Sequence, residues 1–372
     1  MSSSSSSEDE AFSTASEDEN ADGGCGVVDE SLDPGKKRYR LLDSVKSAVF
    51  ILVTAGVCFV AFRNTVTWHA QQFWGASGDF WQSQWGLLCD LFGEERFMAV
   101  WGTWLLIQAV FWSWSAVMHF LDYLDADWIR RYKIQPDAPR PTWGAIRKVL
   151  ARVVFNHTVV GIPVSYLLYE LMRWRGCSAG RELPTFPYVV YELVVFVCVE
   201  EVGFYYSHRF FHHPALYKHF HKIHHEWTAP VGLVSIYAHP LEHLLANTMP
   251  VVLGPLLCGS HMATLWLWLV IAMTSPIISH SGYHLPFFPS PEAHDFHHLE
   301  FNQCFGVMGV LDRLHGTDVR FRKSKQYERH FMMLSLVPVR ELIPDDEKKT
   351  LSPRRKKAPP SPANKAQCSR AN

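Results

Sequence analysis

His208-Arg209-Phe210-Phe211-His212-His213, His221-Lys222-Ile223-His224-His225 and His294-Asp295-Phe296-His297-His298 decide how this chain is read. Between them stand His239-Pro240-Leu241-Glu242-His243 and His280-Ser281-Gly282-Tyr283-His284. Of 20 histidines in the chain, 16 lie between positions 208 and 315, a clustering that core packing does not explain. Residues three and four apart share one face of a helix. His208/His212, His221/His224/His225 and His294/His297/His298 are so spaced, and each group is expected to aim its rings at one spot. His239/His243 and His280/His284 are further pairs of the same spacing. Neutral imidazole binds zinc, copper, iron and nickel. A tetrahedral zinc needs about four ligands, so these twelve histidines exceed one metal and suit two. His213 and His219 are read as supporting or surface groups. His261 and His315 lie outside the repeated spacing, and His69, His119, His157 and His330 are read as unrelated to metal.

The surrounding chain is written for a membrane. Of 372 residues, 48% are hydrophobic and 14% aromatic, with 14 tryptophans, as interfacial belts require. The formal net charge of −1 gives no field for nucleic acid. Eight scattered cysteines form no Cys-x-x-Cys and imply no disulfide framework. Uncharged runs cover Ser47–Phe62, Phe97–Leu121 and Val153–Tyr169, and Pro184–Val199 is broken only by Glu192. Basic clusters at Lys36–Lys46 and Arg130–Arg152 place those segments in the cytosol. Leu244–Pro291 holds no Asp, Glu, Lys or Arg, and Pro250, Gly254, Pro255 and Gly259 break it. A hairpin with arms near 244–258 and 261–278 is expected, returning the chain to the face it left. Four crossings before His208 put that face in the cytosol. Glu200 and Glu201, at the end of the fourth run, are expected to hydrogen-bond ligand imidazoles.

The fold class that follows is an all-α integral membrane protein of four to six embedded helices, with a cytosolic histidine-rich helical cap holding a dimetal site. The expected divisions are a disordered acidic and Ser-rich tail (1–40), an N-terminal transmembrane region (41–182), the histidine-bearing domain (183–342) and a disordered basic, Pro-rich tail (343–372). No basic n-region and early apolar stretch marks a signal peptide. A metal transporter or sensor would also use histidines, but runs 97–121 and 244–278 contain no acidic residue for an ion path. A scaffold without activity would have no reason to keep all twelve histidines.

With Leu183-Pro184-Thr185-Phe186, Phe204-Tyr205-Tyr206-Ser207-His208, His225-Glu226-Trp227-Thr228-Ala229-Pro230 and Ser279–His284, the histidine boxes resemble the sterol desaturase/fatty acid hydroxylase superfamily, over roughly residues 130–335. Within it the likeness leans toward the C4-methylsterol oxidases. The resemblance implies a non-haem di-iron centre in the endoplasmic reticulum membrane. It implies molecular oxygen as co-substrate and electrons from NAD(P)H through cytochrome b5 and its reductase. The lipid would be a sterol oxidised at C4, with fatty-acyl or sphingolipid hydroxylation as the alternative. The metal ligands implied are His208, His212, His221, His224, His225, His239, His243, His280, His284, His294, His297 and His298. The chain departs from methylsterol oxidases at Asn302-Gln303, where they carry Asn-Tyr, and at His315-Gly316-Thr317, where they carry Phe-Gly-Thr. Removing hydrogen from an unactivated C–H bond needs no side-chain acid or base, so no separate catalytic residue is named. No Gly-x-Gly-x-x-Gly follows a strand, so the nicotinamide is expected on a partner.

Overall fold

A computed structural model describes residues 34–345. The reading of residues 1–33 and 346–372 as tails lies outside the described residues. The chain divides into two units, Met1–Ser77 and Gly78–Asn372. The described part of the first is helical, belonging to α1 (Pro34–Phe92). The second holds the rest: α2 (Glu95–Leu124), α3 (Trp143–Arg175), α4 (Phe186–Phe211), α5 (Pro240–Cys258), α6 (Met262–Ser279), α7 (Glu292–Glu300) and α8 (Val310–His315). No strand occurs among the described residues.

Among the described residues four helices, α2, α3, α5 and α6, are long and apolar enough to cross a membrane, and the bent pair Val45–Val60 and Thr65–Phe92 passes the same test only when its two parts are taken together. Leu105, Phe120, Val159 and Leu167 lie exposed on these helices, as lipid-facing side chains do. The fourth apolar run is part of α4, but that helix carries Glu192, Glu200 and Glu201 and is not among the four. Ser47–Phe62 is only a portion of α1.

The expected hairpin is α5 and α6. Gly259 takes a left-handed φ of +69° that a side chain would strain. Two residues on, His261 caps α6 by accepting the Ala263 N–H at 3.1 Å. Thr142 caps α3 in the same way, accepting from the Ala145 N–H at 3.3 Å. Three helices contain a π-helical turn: Met98–Gly102 in α2, Asn156–Val160 in α3 and His243–Thr248 in α5. Such turns often sit at functional sites.

Helices α4 and α5 approach through small residues, the way apolar helices associate in lipid. A Cβ on Gly254 would lie 2.9 Å from the Phe196 Cα, and one on Gly203 3.1 Å from Pro250. Gly254→Val is therefore expected to force the two helices apart and cost about 1–3 kcal/mol. A thermal melt of purified protein checks this against Gly86→Ala, whose added carbon meets nothing within 4 Å. Equal melting of the two variants would show that the α4–α5 contact is loose.

Candidate metal centre

The histidines are delivered by short elements at one end of this bundle. His208 lies in the last turn of α4 and His212 caps it. Pro214 then restarts the chain, and His221 to His225 follow in turns and a single 3₁₀ turn (His224–Glu226) rather than on a regular helix. His280 caps the C-terminus of α6, while α7 carries His294, His297 and His298. Segments before and after the hairpin thus meet, as the even count of arms requires.

Nine of the twelve histidines gather in two groups. His208, His212, His221, His225 and His297 form one, and His224, His280, His294 and His298 the other, with donor atoms in each group within 4.8 Å of one another. Neither triplet converges on one spot. The i, i+4 pair His221/His225 joins the first group and His224 the second. The pair His294/His298 joins the second group and His297 the first. The triplets stitch the two groups together.

Three expected ligands lie outside both groups. Pro240 starts a helix there, so His239 is its cap, with Nδ1 accepting the Leu241 N–H at 3.2 Å. It therefore does not share a helical face with His243, which is buried beside the cavity described below. His284 lies past the end of α6 and past Gly282 (φ +75°), so its spacing from His280 is not helical. Both its ring nitrogens are committed, Nδ1 to Glu292 Oε1 at 3.2 Å and Nε2 to the Phe331 carbonyl at 3.0 Å.

Six of the nine grouped rings have a partner at Nδ1. His208 donates to the Phe305 carbonyl at 2.8 Å, His297 to Gln303 at 2.7 Å and His298 to Trp227 at 2.8 Å. His280 donates to Pro276 at 2.7 Å and His224 to Tyr237 at 3.3 Å. His221 meets the buried Glu242 carboxylate at 2.6 Å. A neutral ring has one proton, and a carbonyl oxygen can only accept, so the five rings bonded to carbonyls keep a lone pair on Nε2. Yet His224 and His280, both fixed in this way, face each other through Nε2 at 3.2 Å, and the Nε2 atoms of His294, His221 and His225 crowd in at 2.9 to 3.2 Å from a neighbouring ring. Opposed lone pairs repel unless a cation lies between them. Two nitrogens about 2.1 Å from one metal and at right angles are about 3.0 Å apart. The Nε2 atoms of His297 and His298 are buried without a partner. Burial, and then the neighbouring imidazoles, hold His224, His225, His294, His297 and His298 well below the usual histidine range, so the rings are neutral donors. The residues present fit a pair of metal ions.

Glu200 and Glu201 do not meet imidazoles. Glu201 accepts the backbone N–H groups of Val307, Met308, Val310 and Leu311 at 2.9, 2.8, 3.0 and 3.3 Å. The chain after α7 returns to α4 there and takes up both Glu201 oxygens. Glu200 lines the cavity. The carboxylate that does bond a ligand ring, Glu242, went unassigned in the sequence, although it stands between two histidines. Asp312 accepts the Phe305 and Gly306 N–H groups at 2.8 and 2.7 Å and the Thr317 hydroxyl at 2.6 Å. Glu201 and Asp312 thereby hold the loop whose carbonyls orient His208 and His297. The stretches that depart from methylsterol oxidases belong to this scaffold: Gln303 Oε1 accepts the Arg320 N–H at 2.8 Å, and His315 stacks on Tyr205.

A cavity of about 210 Å³ opens from His208, His221, His224, His280 and His294. It runs between α2, α3, α5 and α6 past Ile107, Val164, Leu168, Val252, Leu269 and Met273. The slot thus begins at a metal-fitting cluster and continues between membrane-capable helices, with a largely apolar lining.

Comparison with known proteins agrees. The fatty acid hydroxylase family model matches residues 193–317. Human fatty acid hydroxylase domain-containing protein 2 is 46% identical over 317 residues, 84% of this chain and 95% of the relative. A fatty acid hydroxylase of Mycosarcoma maydis is 37% identical over 196 residues, 52% of this chain and 51% of that protein. A Dictyostelium discoideum protein whose name refers to methylsterol monooxygenase is 32% identical over 257 residues, 66% of this chain and 93% of its own length. No solved structure matches. With the human relative aligned over nearly all its length, the chain belongs to the fatty acid hydroxylase family, and with it to the membrane oxidoreductases that act on lipids.

Proposed function

We propose that the two histidine groups hold two irons and that the chain is an oxygen-dependent oxidase of sterol C4-methyl groups. His208, His212, His221, His225 and His297 would hold one iron, and His224, His280, His294 and His298 the other. Bound there, the pair supplies activation of molecular oxygen for attack on an unactivated C–H bond. The observation that carries the reading is the cavity, which reaches the rings of both groups from between apolar helices. The chain's own part is to fix the ring tautomers, to admit the lipid from the bilayer and to exclude water from the opposed Nε2 atoms. Cytochrome b5 and its reductase would deliver electrons from NAD(P)H at the cytosolic face of the endoplasmic reticulum, a siting that the basic segments 36–46 and 130–152 support. The name of the Dictyostelium relative supports the sterol. The name of the Mycosarcoma relative supports the alternative, fatty-acyl hydroxylation.

Metal analysis of anaerobically purified protein is expected to give about two irons per chain, since nine imidazoles exceed what one metal accepts. Cells lacking the protein are expected to accumulate 4-methylsterols; raised unhydroxylated acyl lipids with flat sterols would move the assignment to the acyl reading. Val164→Trp, which fills the slot away from the rings, is expected to lower turnover about tenfold or more with metal content unchanged. Unimpaired turnover in that variant would place the substrate path elsewhere.

A further inference from the structure

The carbonyl that orients His224 sits in a turn that α3 holds from outside. Residues 236–238 turn tightly, the Ala238 N–H donating to the Ile236 carbonyl at 2.9 Å across Tyr237 (φ −78°, ψ 80°). The Tyr237 carbonyl is left to accept from His224 Nδ1 at 3.3 Å. Asn156 lies against this turn, fully buried in the π-helical turn of α3. One terminal atom of its amide is 3.0 Å from the Ile236 carbonyl and 3.0 Å from the Ala238 carbonyl. Carbonyls only accept, so that atom is the nitrogen, and its two N–H groups serve one carbonyl each. The amide oxygen, Oδ1, has no hydrogen-bond partner among the described residues. The side chain is therefore placed for its donors. A second tie joins the same segments: the Tyr237 hydroxyl donates to Glu226 Oε2 at 3.1 Å, and Glu226 ends the 3₁₀ turn that begins at His224.

We propose that Asn156 is a positioning residue for the four-histidine metal site. Its two bonds pin the peptides on either side of the one that carries the Tyr237 carbonyl, and so fix where that carbonyl points. The His224 bond is the longest of the five ring-to-carbonyl bonds. A few tenths of an ångström more would end it. A ring released at Nδ1 no longer has its proton held there, and the tautomer protonated on Nε2 offers a metal no lone pair. The five-histidine group does not use this turn. Its His208, His221 and His297 bond Phe305, Glu242 and Gln303 instead. The role of Asn156 rests on the two groups being metal sites, as proposed above, and it ties one of them to a membrane-capable helix.

The test is an anaerobic titration of metal-free, full-length protein in lipid nanodiscs with Co(II), read by its visible absorption and by metal retained after desalting. Wild type is expected to take up about two Co(II) per chain. Asn156→Leu keeps the side chain's bulk and removes both donors. One site is expected to weaken about tenfold in it, the lower end of what loss of a ligand's partner costs, and the other to hold within about twofold. Two backgrounds identify the weakened site. With His280→Ala, which spoils the four-histidine group, Asn156→Leu is expected to change nothing further. With His212→Ala, which spoils the five-histidine group, it is expected still to weaken the remaining site about tenfold. Thr158→Val, in the same π-helical turn, loses a bond to the Val154 carbonyl and is expected to leave both affinities unchanged. Asn156→Ser keeps one donor, is expected to fall between, and carries the test if Asn156→Leu does not fold. The role is overturned if the Asn156 variants bind both Co(II) as wild type does, even with a lowered melting temperature. It is overturned equally if both sites weaken alike, or if Thr158→Val weakens a site as much. Wild-type protein that takes up no Co(II) would refute the two-metal reading and this role with it. Two Co(II) in wild type with the Asn156 variants unaffected would refute this role alone.

Discussion

His225→Ala is expected to empty the five-histidine group and to lower lipid turnover at least about a hundredfold, more than loss of a supporting partner costs a metal site. The His225 Nε2 lies 3.0 Å from His221 Nε2 and 3.2 Å from His212 Nε2, so it fills a corner between two other donors of one group. Its ring also packs against His297 and His298, one from each group, so its removal opens the wall between them. His239→Ala provides the contrast. That ring caps α5 and packs on Phe220 outside both groups, so its loss is expected to leave iron content intact and to cost about 1 kcal/mol of stability, a typical cap effect. Iron per chain by elemental analysis, beside melting temperature, separates the two. If His239→Ala lost iron as His225→Ala does, the division of the twelve histidines into nine and three would be wrong.

That division marks where the sequence could be read and where it could not. The density of histidines and their spacing announce a two-metal cage, because few other uses of imidazole require so many in so short a stretch. The long uncharged runs announce the helices, because length and hydropathy are local properties. The assignment of each ring is not local. Spacing by three or four means a shared face only while the helix continues. Pro240 after His239, and the helix end at His280, stop it in one case each. The His221–His225 triplet is carried by turns, so its members diverge to different groups. The partners of the rings were hidden for another reason. Backbone carbonyls at Trp227, Gln303 and Phe305 serve as acceptors whatever side chain they bear, so no residue type records the role. Glu201 was misplaced because a buried acid beside a histidine box looks like an imidazole partner, whereas four backbone amides of a distant loop compete for it and win.

Glu201→Leu is expected to destabilise the protein by about 3–5 kcal/mol and to weaken iron binding about 10- to 100-fold. Glu201 is only 5% exposed, and its two oxygens accept four N–H groups from residues 307–311. Leucine fills the space but accepts nothing, so those N–H groups lose their partner; water reaches some of them, which keeps the cost below the full sum of four charged bonds. The damage spreads because residues 303–309 form one loop that runs into α8. Its Gln303 and Phe305 carbonyls fix the tautomers of His297 and His208, both in the five-histidine group. Asp312 still grips Phe305 and Gly306, so the loop loosens without detaching. Glu201→Gln is expected to fall between, since one oxygen still accepts while the amide nitrogen faces N–H groups it cannot bond. The order of melting temperatures, wild type above Gln above Leu, and the same order for iron retained against a chelator, would tie loop anchoring to the metal site. A Glu201→Leu protein that melts early yet holds iron as wild type does would instead show that the rings keep their orientation without the loop.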